Sequence, residues 1–173
     1  IRMVFSGLWL LSVGWIAYSG EDPKAGSERT DKESAEKLIG LGGYVFFRPG
    51  TVHVIEVNLN HNSRIRDSDL HLLSSLFELT DLSLERTSIG DAGMEHLQNL
   101  ENLEWLNLYQ TRIGDEGLLH LSRVKRLQHL PAGETRVTDA GMIHLKKLIE
   151  LRYLGLRGTR ITDDGLAHLG SLT

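Results

Sequence analysis

The chain has 173 residues, a formal charge of −4 and no cysteine. It lacks the basic excess needed to neutralise phosphates, so no nucleic-acid partner is expected. Without cysteine there are no disulfides, thiolate metal sites or Cys nucleophiles.

Met3 to Tyr18 contain no charge, are mostly large apolar side chains and follow Arg2. This run is short for a membrane span, which takes about 20 residues, and suits the apolar core of a signal peptide. Ala17-Tyr18-Ser19 puts small residues two apart, as a signal-peptidase site requires. A buried core helix is the competing reading, but the run has no polar face to turn to water. Residues 1–20 are therefore expected to be a cleaved signal or an uncleaved anchor. Both make the protein exported: periplasmic, secreted or membrane-anchored, with membrane contact only through this segment.

Residues 21–31 are polar, with Pro, Gly and Ser, and read as a flexible linker. A short helix follows, with Thr30 or Asp31 as its cap and Ala35, Leu38 and Ile39 as its apolar stripe. Gly40, Gly42 and Gly43 end it. Tyr44 to Phe47 is predicted as a strand, Arg48-Pro49-Gly50 as a turn, and Thr51 to Leu59 as a second strand. A stacked array needs its first apolar turn covered, so residues 32–53 are assigned as an N-terminal cap.

From Leu79 the sequence repeats every 24 residues. Leu79, Leu103, Leu127 and Leu151 open four turns, each close to L-x-x-L-x-L-x-x-T-x-I-x-D-x-G-L-x-x-L-x-x-L. A looser turn precedes them, from Val54 through Val57, Leu59, Asn62, Ile65, Asp67 and Leu70 to Leu76. It carries one extra residue before Ile65, and Asp69 stands where the others have Gly. L-x-L alternation makes a short strand with one inward face. The later Leu spacing lines one side of a helical segment. So short a turn cannot bury both faces alone, and stacking buries them. The expected fold class is α/β: a right-handed solenoid with a parallel sheet on the concave face, helices on the convex face, and a helix-plus-strands cap. Residues 54–173 form its five turns.

This pattern resembles the leucine-rich repeat. The wording T-x-I-[TG]-D-x-G-[LM]-x-H-L, as in Thr159 to Leu169, more narrowly resembles a bacterial repeat family of planctomycete-like genomes. So does the lead-in Glu36 to Val45. The resemblance covers residues 32–173 and implies the solenoid fold; because such repeats serve many partners, it implies no one ligand.

Three ladders of polar residues recur with the period. Thr87, Thr111, Thr135 and Thr159 are expected to bond backbone where the chain leaves each strand. Asp91, Asp115, Asp139 and Asp163 precede the helical pattern, where an Asp or a Thr, as in Thr138-Asp139 and Thr162-Asp163, is expected to cap it, with Gly93, Gly117, Gly141 and Gly165 fitting a crowded first turn. One Asp per turn is too few oxygens for calcium. His96, His120, His144 and His168 lie one turn apart, without a second ligand in the same turn, so they read as half-exposed helix residues rather than zinc ligands. No G-x-S-x-G, phosphate-binding Gly loop or H-E-x-x-H occurs. The chain is thus expected not to be an enzyme and to hold no cofactor or metal.

Outward positions of each strand are free to vary, and there a partner would bind. The third position of successive turns gives Glu56, Asp81, Trp105, His129 and Tyr153. The fifth gives Asn58, Ser83, Asn107, Pro131 and Gly155, and the seventh Asn60, Glu85, Tyr109, Gly133 and Arg157. Trp105, His129 and Tyr153 are expected to stack into an aromatic stripe, with Tyr109 beside it and Asp81, Glu85 and Arg157 as a polar rim. Pro131, which lacks an amide donor, is expected to weaken the ladder and open a notch between Trp105 and Tyr153. These seven residues are the candidate site for a protein or peptide ligand. Alternatives are an envelope glycan stacked on the same rings, or a spacer with no ligand. The end at Gly170 to Thr173 lacks a polar cap, which reads as a break in a longer chain or as a surface for end-to-end self-association.

Overall fold

A computed structural model describes the backbone of residues 23–170 and, from residue 30, their side chains. The apolar segment over residues 3–18 and the last three residues lie outside that range. Among the described residues no helix is long and apolar enough to cross a membrane.

The first helix, α1, spans Pro23–Gly40. It starts well before Thr30, so most of the stretch read as a linker forms its first turns. Pro suits that start because its missing N–H would be unpaired there anyway. The buried face is Asp31, Ser34, Ala35 and Leu38, whereas Ile39 points to solvent. Asp31 is therefore not a cap. Its Oδ2 accepts the Val54 N–H at 3.1 Å and faces His53 Nδ1 at 3.3 Å, pinning α1 to the first strand of the repeats. Burial pushes its carboxyl above the usual range, against the opposing pull of the Val54 amide and His53. Gly42, at φ 95°, ends the helix: its N–H bonds Ile39 O at 2.8 Å, and the Gly43 N–H bonds Leu38 O at 2.9 Å.

Six strands form one sheet in chain order: β1 Tyr44–Phe47, β2 Val54–Asn58, β3 Asp81–Ser83, β4 Trp105–Asn107, β5 His129–Pro131 and β6 Tyr153–Gly155. β1 pairs antiparallel with β2, and every later pair is parallel. The parallel ladder runs beyond the strands, as in Leu84 N–H to Asn107 O (2.9 Å) and Arg86 N–H to Tyr109 O (2.9 Å). Short helices return the chain on the other side: α2 Asp91–Met94, α3 Asp115–Leu121, α4 Asp139–Leu145 and α5 Asp163–Ala167. In the looser turn a 3₁₀ segment, Asp67–Leu73, takes this place. One continuous core of the repeating Leu, Ile, Val and Met side chains runs between sheet and helices. This is the architecture of a leucine-rich-repeat solenoid.

The Thr ladder does what its spacing predicts. Thr87, Thr111, Thr135 and Thr159 each donate a hydroxyl proton to the carbonyl three residues back, at 2.7 Å. The Asp ladder differs from expectation. Each Asp is the first residue of its own helical segment, and the carboxylates of Asp91, Asp115 and Asp139 reach into the next turn. Asp91 Oδ1 accepts Gly114 N–H at 2.6 Å and Gly117 N–H at 3.0 Å. Asp115 takes the Thr138 N–H (2.8 Å) and hydroxyl (2.7 Å), and Asp139 takes the same two groups of Thr162. Asp67 takes the Gly90 N–H at 2.7 Å. Each carboxylate thus sits at the positive end of the following helix, where an anion is stabilised. The local caps are instead the Thr138 and Thr162 hydroxyls.

This clamp explains the glycine two residues after each Asp. A Cβ on Gly117 would lie 2.7 Å from Asp91 Oδ1 and 2.8 Å from Ile113 Cγ2. It also explains the exception. Among the described residues no Asp of an earlier turn bonds the start of this segment as Asp91 bonds Gly114 and Gly117, so a side chain fits there, and the Oδ2 of Asp69 accepts the Arg66 N–H at 2.9 Å. The Thr162 amide, then its hydroxyl, hold the Asp139 carboxyl below the usual range. A depressed folded-state pKa means that this contribution is present above the ordinary aspartate value and is lost as pH falls through the folded one.

Gly→Ala inside a helix normally stabilises by about 0.5–1 kcal/mol. Here Gly117→Ala is expected to destabilise by about 1–3 kcal/mol, with Asp91→Ala costing a similar amount. In the double variant the two losses should add only in part, because the Asp91 carboxylate is gone while Ile113 still crowds the new Cβ. Urea unfolding of the four proteins checks this.

Candidate functional site

The sheet register builds the concave face. Leu82, Leu106 and Leu130 point into the core, so their neighbours point out. Asp81 pairs in register with Trp105, Trp105 with His129, and His129 with Tyr153. The third-position residues thus form one row across the strands, as the sequence implies. Strand spacing brings adjacent members to about 4.8 Å at the backbone.

The row is only partly a stack. His129 and Tyr153 rings lie 6.4 Å apart at 27°. Trp105 is in register with His129 and half-buried, but among the described residues the only ring contact in this row is that of His129 with Tyr153. Asp81 is half-buried and accepts the Thr80 hydroxyl at 2.6 Å. Glu85 accepts from Asn107 Nδ2 at 3.1 Å and lies 3.9 Å from Arg86 Nε. Tyr109 is half-buried, whereas Tyr153 and Arg157 are exposed.

Fifth-position side chains, which the alternation turns outward, are largely taken up by the scaffold. Asn58 Oδ1 accepts the Asn60 N–H, and Asn107 Oδ1 accepts the Tyr109 N–H at 2.9 Å. Asn60 Oδ1 accepts the Glu85 N–H and the Ser83 hydroxyl. Ser83 and Asn107 are buried. These bonds hold the backbone under Glu85 and Tyr109, the seventh-position residues.

Pro131 does thin the ladder. β4 and β5 share one registered pair where the other parallel pairs share three. The gap beside it is covered rather than open. Tyr109 lies over Gly133, whose Cβ would sit 3.2 Å from the ring, and the Tyr153 hydroxyl lies 3.2 Å from where a Gly155 Cβ would be. The two tyrosines thus fill space left by the glycines.

Sequence reasoning missed two aromatics. β1 pairs Phe46 with Glu56 and Tyr44 with Asn58, which puts both rings on the concave face. Tyr44 is 70% exposed and Phe46 48%. The hairpin register was the available signal: a strand in Y-V-F-F alternation folding back onto β2 must face Phe46 the same way as Glu56. The His ladder lies on the helical side, where His96 meets His71 edge-on at 6.5 Å. Among the described residues no group of three His, Asp or Glu side chains is placed to hold a metal ion.

No protein-family model and no curated protein matches the chain. Solved structures do. Internalin C2 of Listeria monocytogenes is 25% identical over 60% of this chain and 42% of its own, with a TM-score of 0.53. A second internalin of that organism, inlF, is 20% identical over 69% of this chain and 46% of its own, at a TM-score of 0.43. The leucine-rich-repeat ectodomain of the Arabidopsis receptor kinase HAESA, solved with an extended IDA peptide hormone, is 15% identical over 86% of this chain and 37% of its own, at 0.47. The chain spans less than half the length of each of these structures.

Inward and outward positions should separate by stability. Leu106→Ala, at a fully buried site, is expected to cost about 2–5 kcal/mol. Trp105→Ala, one residue earlier, is expected to cost under about 1.5 kcal/mol. Chemical denaturation of the two variants tests this assignment of faces. Register, core and the likeness to internalin C2 together give the chain the fold of a leucine-rich-repeat solenoid.

Proposed function

We propose that the chain is a non-catalytic interaction module that holds a protein or peptide on its concave face. The observation that carries this is a row in which the repeat stops repeating. Inward positions stay aliphatic turn after turn, whereas the outward row runs Asp81, Trp105, His129, Tyr153. A large aromatic left partly in water loses the benefit of burial, and such side chains are enriched where partners dock. Asp81, Glu85 and Arg157 form the polar rim, and Tyr109 flanks Trp105.

The apolar N-terminal run supports an exported protein, and the T-x-I-[TG]-D-x-G wording supports a bacterial one. A second reading, a glycan stacked flat on the same rings, is favoured by the exposed Tyr153 face.

The two readings share residues and differ in ligand. Selection from a displayed peptide library and a glycan array, both run on the full chain, separate them. Trp105→Ala with Tyr153→Ala should leave the unfolding transition near that of the parent and weaken capture by about a hundredfold or more. Capture that survives the double substitution would sink the concave-face reading. Glycan binding lost on the same substitutions, without peptide binding, would transfer the site to the second reading.

A further inference from the structure

The third- and seventh-position charges run from acid to base along the solenoid axis, from Glu56, Asp81 and Glu85 to Arg157. Glu56 on β2 is in register with Asp81 on β3, so two carboxylates stand directly opposite each other on neighbouring strands. Like charges so placed repel and destabilise a sheet. Among the described residues neither is paired with a cation; Asp81 has only the Thr80 hydroxyl. Glu85, the third acid, is already engaged by Asn107, Arg86 and His61.

Aromatics bracket the pair within the same row. Phe46 is in register with Glu56 on one side, and Trp105 with Asp81 on the other. A cation between them would meet two carboxylates and a ring face, a combination that favours ammonium or guanidinium. At the other end of the face stands Arg157, exposed and without an ion-pair partner among the described residues.

Resting on the concave-face reading above, we propose that the ligand is an extended peptide segment of defined charge order. A Lys or Arg side chain seats over Glu56 and Asp81 beside Trp105. The segment crosses the His129–Tyr153 stack, and an acidic side chain meets Arg157. Three strand spacings across the sheet and the four-residue offset from Tyr153 to Arg157 along it separate the two ends by about 20 Å, which an extended chain spans in about six residues. The ligand cation relieves the repulsion between Glu56 and Asp81, so charge order selects the ligand while the rings supply apolar contact.

The test is selection of random twelve-residue displayed peptides on the full chain, followed by titration of a synthesised winner. Enriched peptides should carry Lys or Arg about six residues from Asp or Glu. Glu56→Gln with Asp81→Asn should remove the basic preference and weaken the winner at least about tenfold. Arg157→Glu should replace the acidic preference with a basic one. Both variants should unfold at or above the parent's midpoint, because the first removes repulsion and the second alters an exposed tip. The charge order is overturned if the enriched peptides lack a basic preference, or if that preference survives the Gln/Asn pair. In that outcome, binding that still fails on Trp105→Ala leaves the concave-face reading standing. No enrichment at all on the parent chain overturns both.

Discussion

The carboxylate at the start of each helical segment is what fixes the geometry of the stack. Leucine burial forces the turns together, but burial is non-directional and tolerates sliding. A bond from Asp115 to both the amide and hydroxyl of Thr138 does not. It ties the first residue of one helical segment to the N-terminus of the next, 23 residues on. The following glycine belongs to the same device, since Gly117 admits the Asp91 carboxylate against its helix. The repeated Asp-x-Gly is therefore an inter-turn joint rather than a local cap.

A fixed joint on the helical side keeps the opposite face in register. With each helix held at one height on the next, strands meet residue for residue: Asp81 against Trp105, and Leu82 against Leu106. The sheet then acts as a ruler. Any residue placed at a third position joins the row, whatever its identity, because backbone and core already determine where it points. The fifth position has less freedom, since Asn58 and Asn107 brace the strand exits. Variety is thus allowed on the concave face and suppressed beneath it.

The core, the strands and the Thr ladder were legible because each depends on spacing within one turn. The function of Asp was not, because its partner lies in the next turn and an offset within a turn looks the same for either role. The early start of α1 was hidden for another reason: residues 23–31 have no apolar stripe, and the buried contact of Asp31 with Val54 is long-range. Also invisible was the left-handed backbone at Arg86, Gln110 and Glu134, where only Gly158 in the last turn shows the residue type that conformation favours. The row of candidate residues was readable, whereas its fine structure was not. Tyr109 filling the space over Gly133 and Phe46 joining from the antiparallel strand both depend on contacts across the sheet.

The solenoid-holding positions and the proposed partner-facing positions are distinct sets of residues. A paired substitution scan measures that division directly, scoring unfolding midpoint and retention of a selected ligand for each variant. Repeat positions such as Leu106, Thr111, Asp115 and Gly117 should lose stability, and should lose ligand only in proportion to that loss. Trp105, Tyr109, His129 and Tyr153 should lose ligand with little change in midpoint. If ligand loss follows stability loss at every position, with no residue of the concave row standing apart, the concave face is scaffold and the account is wrong.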